Sequence, residues 1–253
     1  MMFFLRTLPV LCAVWVVICF RFALHSPAGF WYFASAAVLG ALVALWLLIR
    51  RASLPQGRWS ILMFPALTLF AIVGVLLFSE HQGLQWVLLI GTGMLLALYA
   101  EQVFRFTHVP ARYQPNALVN LGLVFAVLSI FFTSLTVFDL QLFANVPFWM
   151  AVAIFMIIAV FWCIMVFRFI DAPAFLRWPW GITLAVVMVE MFSLLAWLPV
   201  LPFVKAAILA LIVTGVLQWV RNDVTGAVKS HWWTTVLIAI MLLFVLATAR
   251  WFA

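Results

Sequence analysis

Phe148 to Phe167 reads FWMAVAIFMIIAVFWCIMVF, twenty residues without a charge, a proline or a glycine. Wound as a helix, such a run is about 30 Å long, the thickness of a bilayer's hydrocarbon core. It lies inside an apolar segment at 146–167. The same texture recurs on either side, at 8–24, 28–49, 59–79, 84–100, 117–138, 179–198, 203–220 and 232–249. Charges, prolines or tryptophans bound these segments, as expected where helices reach the headgroups. Hydrocarbon offers backbone amides no partner, so a spanning chain must be helical or a closed barrel. A barrel would show segments of about ten residues alternating apolar and polar, whereas these runs are continuously apolar. The expected fold is one all-α domain over residues 1–253, a polytopic integral membrane helix bundle of nine transmembrane helices.

The whole chain agrees. Of 253 residues, 70% are hydrophobic and 8% are charged, against about a quarter charged in soluble domains, which excludes a water-soluble fold. The net charge of +7 comes from basic residues scattered singly between apolar runs, with no stripe to follow a phosphate backbone, so nucleic acid is not an expected partner. The expected partner is the lipid bilayer. Cys12, Cys19 and Cys163 all lie inside apolar segments and read as small packing residues, not as a disulfide framework.

Arg6 followed by Leu8 to Phe20 has the shape of a signal peptide, but Ile18 to Phe22 offers no small-x-small cleavage site, so the segment reads as a retained first helix. Only 14 residues separate Arg6 from Arg21, about 21 Å of helix, so the alternative is eight crossings plus one interfacial helix. Connections carrying Arg50, Arg51 and Arg58, then Arg105 and Arg112, then Arg168 and Arg177, then Arg221 and Lys229 alternate with connections that hold no basic residue. With Arg6 they place ten of the 13 basic residues on one side. By the positive-inside rule the N-terminus is cytoplasmic and the C-terminus outside. Many of the 14 tryptophans, among them Trp31, Trp59, Trp86, Trp149 and Trp178, stand at span ends and form an aromatic belt.

Shifting the chain on itself by 89 residues places Glu101 on Glu190 and Pro110 on Pro199. The three-helix blocks 59–138 and 146–220 would then correspond, and an odd number of crossings would insert the second copy upside down, as an inverted repeat. Glu190 follows Trp180 by ten residues and precedes Pro199 by nine, which puts a carboxyl near the bilayer midplane. There it must be neutral or hydrogen-bonded within the bundle. Thr183, Ser193 and Trp197 share its helical face and form a polar stripe expected to face protein; Lys205 is the one basic residue close enough in sequence to pair with it. This intramembrane polar site reads either as a proton-coupled or substrate-contacting group, or as a carboxyl that joins helices.

The longest polar stretch runs from Glu101 to Asn116. Arg105 and Arg112, with Glu101 and His108, could bind anionic lipid headgroups at the cytoplasmic surface; the simpler alternative is an Arg105 to Glu101 pair one helical turn apart. Nucleophile-elbow, zinc-protease and P-loop motifs do not occur. The four histidines fall in loops or at helix ends on both sides, against paired haem ligation. Gly91 and Gly93 lie within a span and suit close helix approach. No catalytic, cofactor-binding or metal-ligating set is identified.

Val189-Glu-Met-Phe-Ser-Leu-Leu-Ala-Trp-Leu-Pro199, with Thr248-Ala-Arg250-Trp251, resembles an uncharacterised domain-of-unknown-function family of multi-pass membrane proteins from candidate-phylum bacteria. The likeness covers the last third of the chain and implies a bacterial inner-membrane protein with no assigned activity. Two functions are expected from the residues: a small transporter or permease with Glu190 as its intramembrane carboxyl, or a non-catalytic scaffold, as a homo-oligomer or as a subunit of a larger membrane complex.

Overall fold

A computed structural model of the chain describes residues 2–50, 58–114, 116–169, 174–225 and 240. Among these, the extended elements are all α-helices. They are α1 Met2–His25, α2 Phe30–Ile49, α3 Arg58–Phe78, α4 Gln82–His108, α5 Ala117–Phe143, α6 Phe148–Phe169, α7 Ala174–Ala196 and α8 Pro202–Thr225. Seven helical segments, the first Leu5–His25 and the last Trp178–Ala196, are long and apolar enough to cross a membrane. The apolar part of α8, Pro202–Gln218, is shorter, about 26 Å. The predicted span at 232–249 lies, apart from Ile240, outside the described residues.

The first helix is longer than the spacing of its arginines suggested. α1 continues through Arg21 to His25, and the Arg21 guanidinium lies over the Trp86 ring, 4.7 Å from its centroid. The charge therefore stays inside the helix, held against a ring face. α4 outruns its predicted end at residue 100 by eight residues, because nothing between Glu101 and Val109 breaks a helix until Pro110. α5 runs five residues past 138, and Asn145 then turns the chain with a left-handed φ of 51°.

The helices form two compact units, residues 1–125 and 126–253, with α5 crossing from one to the other. This division does not follow the blocks 59–138 and 146–220 of the internal alignment.

In the first unit α1 packs on α2 and α4. Gly93 lets α4 approach α1, since a Cβ there would fall 2.7 Å from Val17 Cγ2, whereas Gly91 faces open space. Gly40 does the same for α2: the Trp15 indole lies over it and donates to the Ala36 carbonyl at 3.0 Å. Within α3, Pro65 has no N–H to give the Ile61 carbonyl. Tyr99, fully buried on α4, supplies the missing donor, with its hydroxyl 2.8 Å from Ile61 O and its ring edge-on to Phe125. One turn on, the Thr68 hydroxyl lies 2.9 Å from both Phe64 O and Phe125 O, tying α3 to α5.

The second unit is built around aromatic side chains. Phe192 on α7 is sandwiched between Phe138 of α5 and Phe155 of α6, each ring 4.4 Å away and nearly parallel. Trp162, buried on α6, donates to Ala126 O and to the Ser129 hydroxyl on α5, both at 2.9 Å. Cys163 packs against Met188 at 3.9 Å, and all three cysteines are buried and free.

Candidate functional site

Hydropathy hardly varies around α7, so shape decides which face is buried. Leu184, Ala185, Met188, Phe192 and Leu195 turn inward and are nearly inaccessible. Thr183, Val186, Glu190, Leu194 and Trp197 turn outward and are exposed. The stripe through Glu190 is therefore present as one face, left uncovered by the other described residues. Ser193 is half-buried beside it, its hydroxyl satisfied within the helix by donation to Val189 O at 2.8 Å. Trp197 is 77% exposed, touching Phe148 with ring centroids 5.3 Å apart. Glu190 makes no hydrogen bond or ion pair with another described residue.

Depth also changes. α7 ends at Ala196, not at 198, because Pro199 disfavours helical geometry at Leu198. Glu190 then lies six residues, about 9 Å, from the end of its helix and three residues from the middle of the apolar segment Trp178–Ala196. Glu101, its partner in the internal alignment, stands seven residues from the end of α4, but the likeness stops there: Arg105 Nε donates to Glu101 Oε1 at 2.8 Å, while the matching position on α7 is Leu194.

Beyond Ala196 the chain tightens and reverses. Trp197 and Leu198 donate to carbonyls three residues back, and Val200 N–H bonds Leu198 O at 2.9 Å. Pro202 opens α8 where its missing N–H costs nothing. Lys205, in the first turn, reaches back to donate to Ala196 O at 3.0 Å, so it caps α7 and is not an ion-pair partner of Glu190. Its ammonium also lies 5.6 Å from the Phe138 ring centroid. A cavity of about 410 Å³ opens here, between the end of α5 and the α7–α8 turn, with Phe138, Gln141, Leu142, Val200, Leu201 and Lys205 among its lining.

The group between Glu101 and Arg112 is more self-contained than an open loop. Glu101, Arg105 and His108 occupy the last two turns of α4, and a cation near a helix C-terminus suits the helix dipole. His108 Nδ1 lies 2.6 Å from the Thr107 hydroxyl, and its ring stacks on Phe104. The Arg112 side chain lies outside the described residues; its backbone ends the 3-10 turn Pro110–Arg112, which Tyr113 N–H closes by donating to Pro110 O at 3.1 Å.

Tyr99, Trp162 and Gln141 carry contacts that reading the sequence did not single out. For Tyr99 a signal exists: a proline inside a span announces a free carbonyl four residues earlier. Gln141 lay beyond the predicted end of α5. Compared with protein families, with curated proteins and with solved structures, the chain matches none.

Proposed function

We propose that this protein is a non-catalytic subunit of a membrane assembly, joined to a neighbouring transmembrane helix through the outer face of α7. The observation that carries this reading is Glu190, a carboxyl on an exposed helix face among apolar neighbours. Lipid tails offer such a group no hydrogen bond, so a donor on a partner helix is the arrangement that relieves its cost. The face has the spacing of a helix-packing seam: Thr183, Val186, Glu190, Leu194 and Trp197 recur at three to four residues, 14 residues over four turns, the 3.5-residue period of left-handed helix pairs. Glu190 as a transport group draws less support, since the inward face of α7, with Leu184, Met188 and Phe192, is apolar and closely buried.

The same proposal includes nine crossings, by the seven long helices, α8 and 232–249, with a cytoplasmic N-terminus and an external C-terminus. The alternation of basic connections supports this orientation. It also assigns Arg21 and Trp86 to one side, in keeping with their contact. The bacterial inner membrane is the proposed address, on the likeness of Val189–Pro199. An inverted-repeat ancestry rests on the register that places Glu101 on Glu190 and Pro110 on Pro199.

The test is the size of the protein extracted from its host membrane in mild detergent. Wild type and Glu190→Gln, which keeps the hydrogen-bonding group, should sediment as a complex, and Glu190→Leu should sediment as a single chain. Three proteins of one size, or an interface mapped by cross-linking only to residues of the same chain, would overturn the proposal. So would a proton-linked uptake abolished by Glu190→Gln.

A further inference from the structure

The cavity beside Lys205 has features that the α7 face does not use. Its volume of about 410 Å³ falls within the range of ligand sites. Phe138, Leu142, Val200 and Leu201 make its walls apolar, while Gln141 and Lys205 bring in an amide and a cation. The ammonium has three N–H donors, and one goes to Ala196 O. No carboxylate among the described residues lies within ion-pair distance of it, Asp139 and Glu190 included. Lys205 is half-buried, so its charge is neither fully hydrated nor paired. At the rim, Leu142 is 59% and Leu201 44% exposed, so the apolar wall continues onto the surface that faces lipid.

From this arrangement we infer that the cavity is a binding site for an anionic acyl lipid, the acidic headgroup on Lys205 and the chain leaving over Leu142 and Leu201. An anion completes the two free donors of the ammonium, Gln141 can donate to a second headgroup oxygen, and the apolar rim accepts methylenes that water would not. A small hydrophilic anion would gain the charge contact and waste the walls; a zwitterionic lipid brings its own cation to the ammonium. The shared chemistry is an acid on an acyl chain, which a phospholipid phosphate or a free fatty carboxylate can provide.

The experiment uses the full chain, delipidated in a neutral maltoside detergent and titrated separately with phosphatidylglycerol, phosphatidylcholine and oleate. Binding is read by native mass spectrometry and by the shift in unfolding temperature. Saturable binding of phosphatidylglycerol or oleate, at least tenfold tighter than phosphatidylcholine, is expected; which of the two binds identifies the source of the acid. Lys205→Gln should abolish that preference and Lys205→Arg should keep it. Because Lys205 also caps α7, Leu142→Trp serves as the second variant: it fills the cavity, leaves the cap in place, and should weaken binding at least tenfold. Equal binding of the acidic and zwitterionic lipids, or an acidic-lipid affinity within twofold of wild type in Leu142→Trp, would refute the site.

Discussion

Replacing Tyr99 by phenylalanine removes a single oxygen from a residue whose ring is already fully packed against Phe125. That oxygen is the donor to Ile61 O, a carbonyl that Pro65 cannot serve. Leaving a buried acceptor unpaired costs about 1–3 kcal/mol, and hydrogen bonds between membrane helices reach about 1.7 kcal/mol at most, so Tyr99→Phe should destabilise by about 1–2 kcal/mol. Pro65→Ala returns an N–H to the Ile61 carbonyl from within α3. In that background Tyr99→Phe should cost less than about 0.5 kcal/mol, giving a coupling near 1 kcal/mol between residues that share only an acceptor. The assay is a double-mutant cycle of the four proteins, unfolded reversibly by SDS in mixed micelles and followed by circular dichroism. Equal cost of Tyr99→Phe in the proline and alanine backgrounds would show that the hydroxyl does not act for the missing N–H.

Four further substitutions, two in each unit, probe the packing. Gly93→Ala should destabilise by about 1–3 kcal/mol, because its Cβ meets the stiff, β-branched Val17, whereas Gly91→Ala, two residues away, should be neutral or slightly stabilising; parallel SDS titrations separate them. Phe192→Ala should cost about 3 kcal/mol or more by opening a void between the Phe138 and Phe155 rings, and Phe192→Leu clearly less, both read as shifts in thermal unfolding.

What could be read in advance follows from the solvent. Hydrocarbon forces the backbone into helices and forces charge to the margins, so the long spans are visible as uninterrupted apolar letters. Their ends are less visible, because charge marks the edge of the membrane and not the edge of the helix. Glu101 and Arg105 are good helix formers, and α4 carries them onward for two turns. α7 likewise begins at Ala174, ahead of its predicted start at 179. The stripe of Thr183, Glu190 and Trp197 was legible as a face from spacing alone. That the other described residues leave it uncovered was not, since both sides of α7 are rich in apolar residues and the choice was made by Phe192 fitting between two other rings. Pro65 announced a free carbonyl, but only three dimensions bring Tyr99, 34 positions later, to fill it.

The contact between Arg21 and Trp86 links the first helix to the timetable of synthesis. While α1 leaves the ribosome, the ring on which its guanidinium rests in the folded chain has not been made, and it arrives only after some 65 further residues have been translated. During that interval the arginine must be kept wet or shielded by the insertion machinery. The amino-terminal half of this protein therefore settles only when its fourth helix emerges.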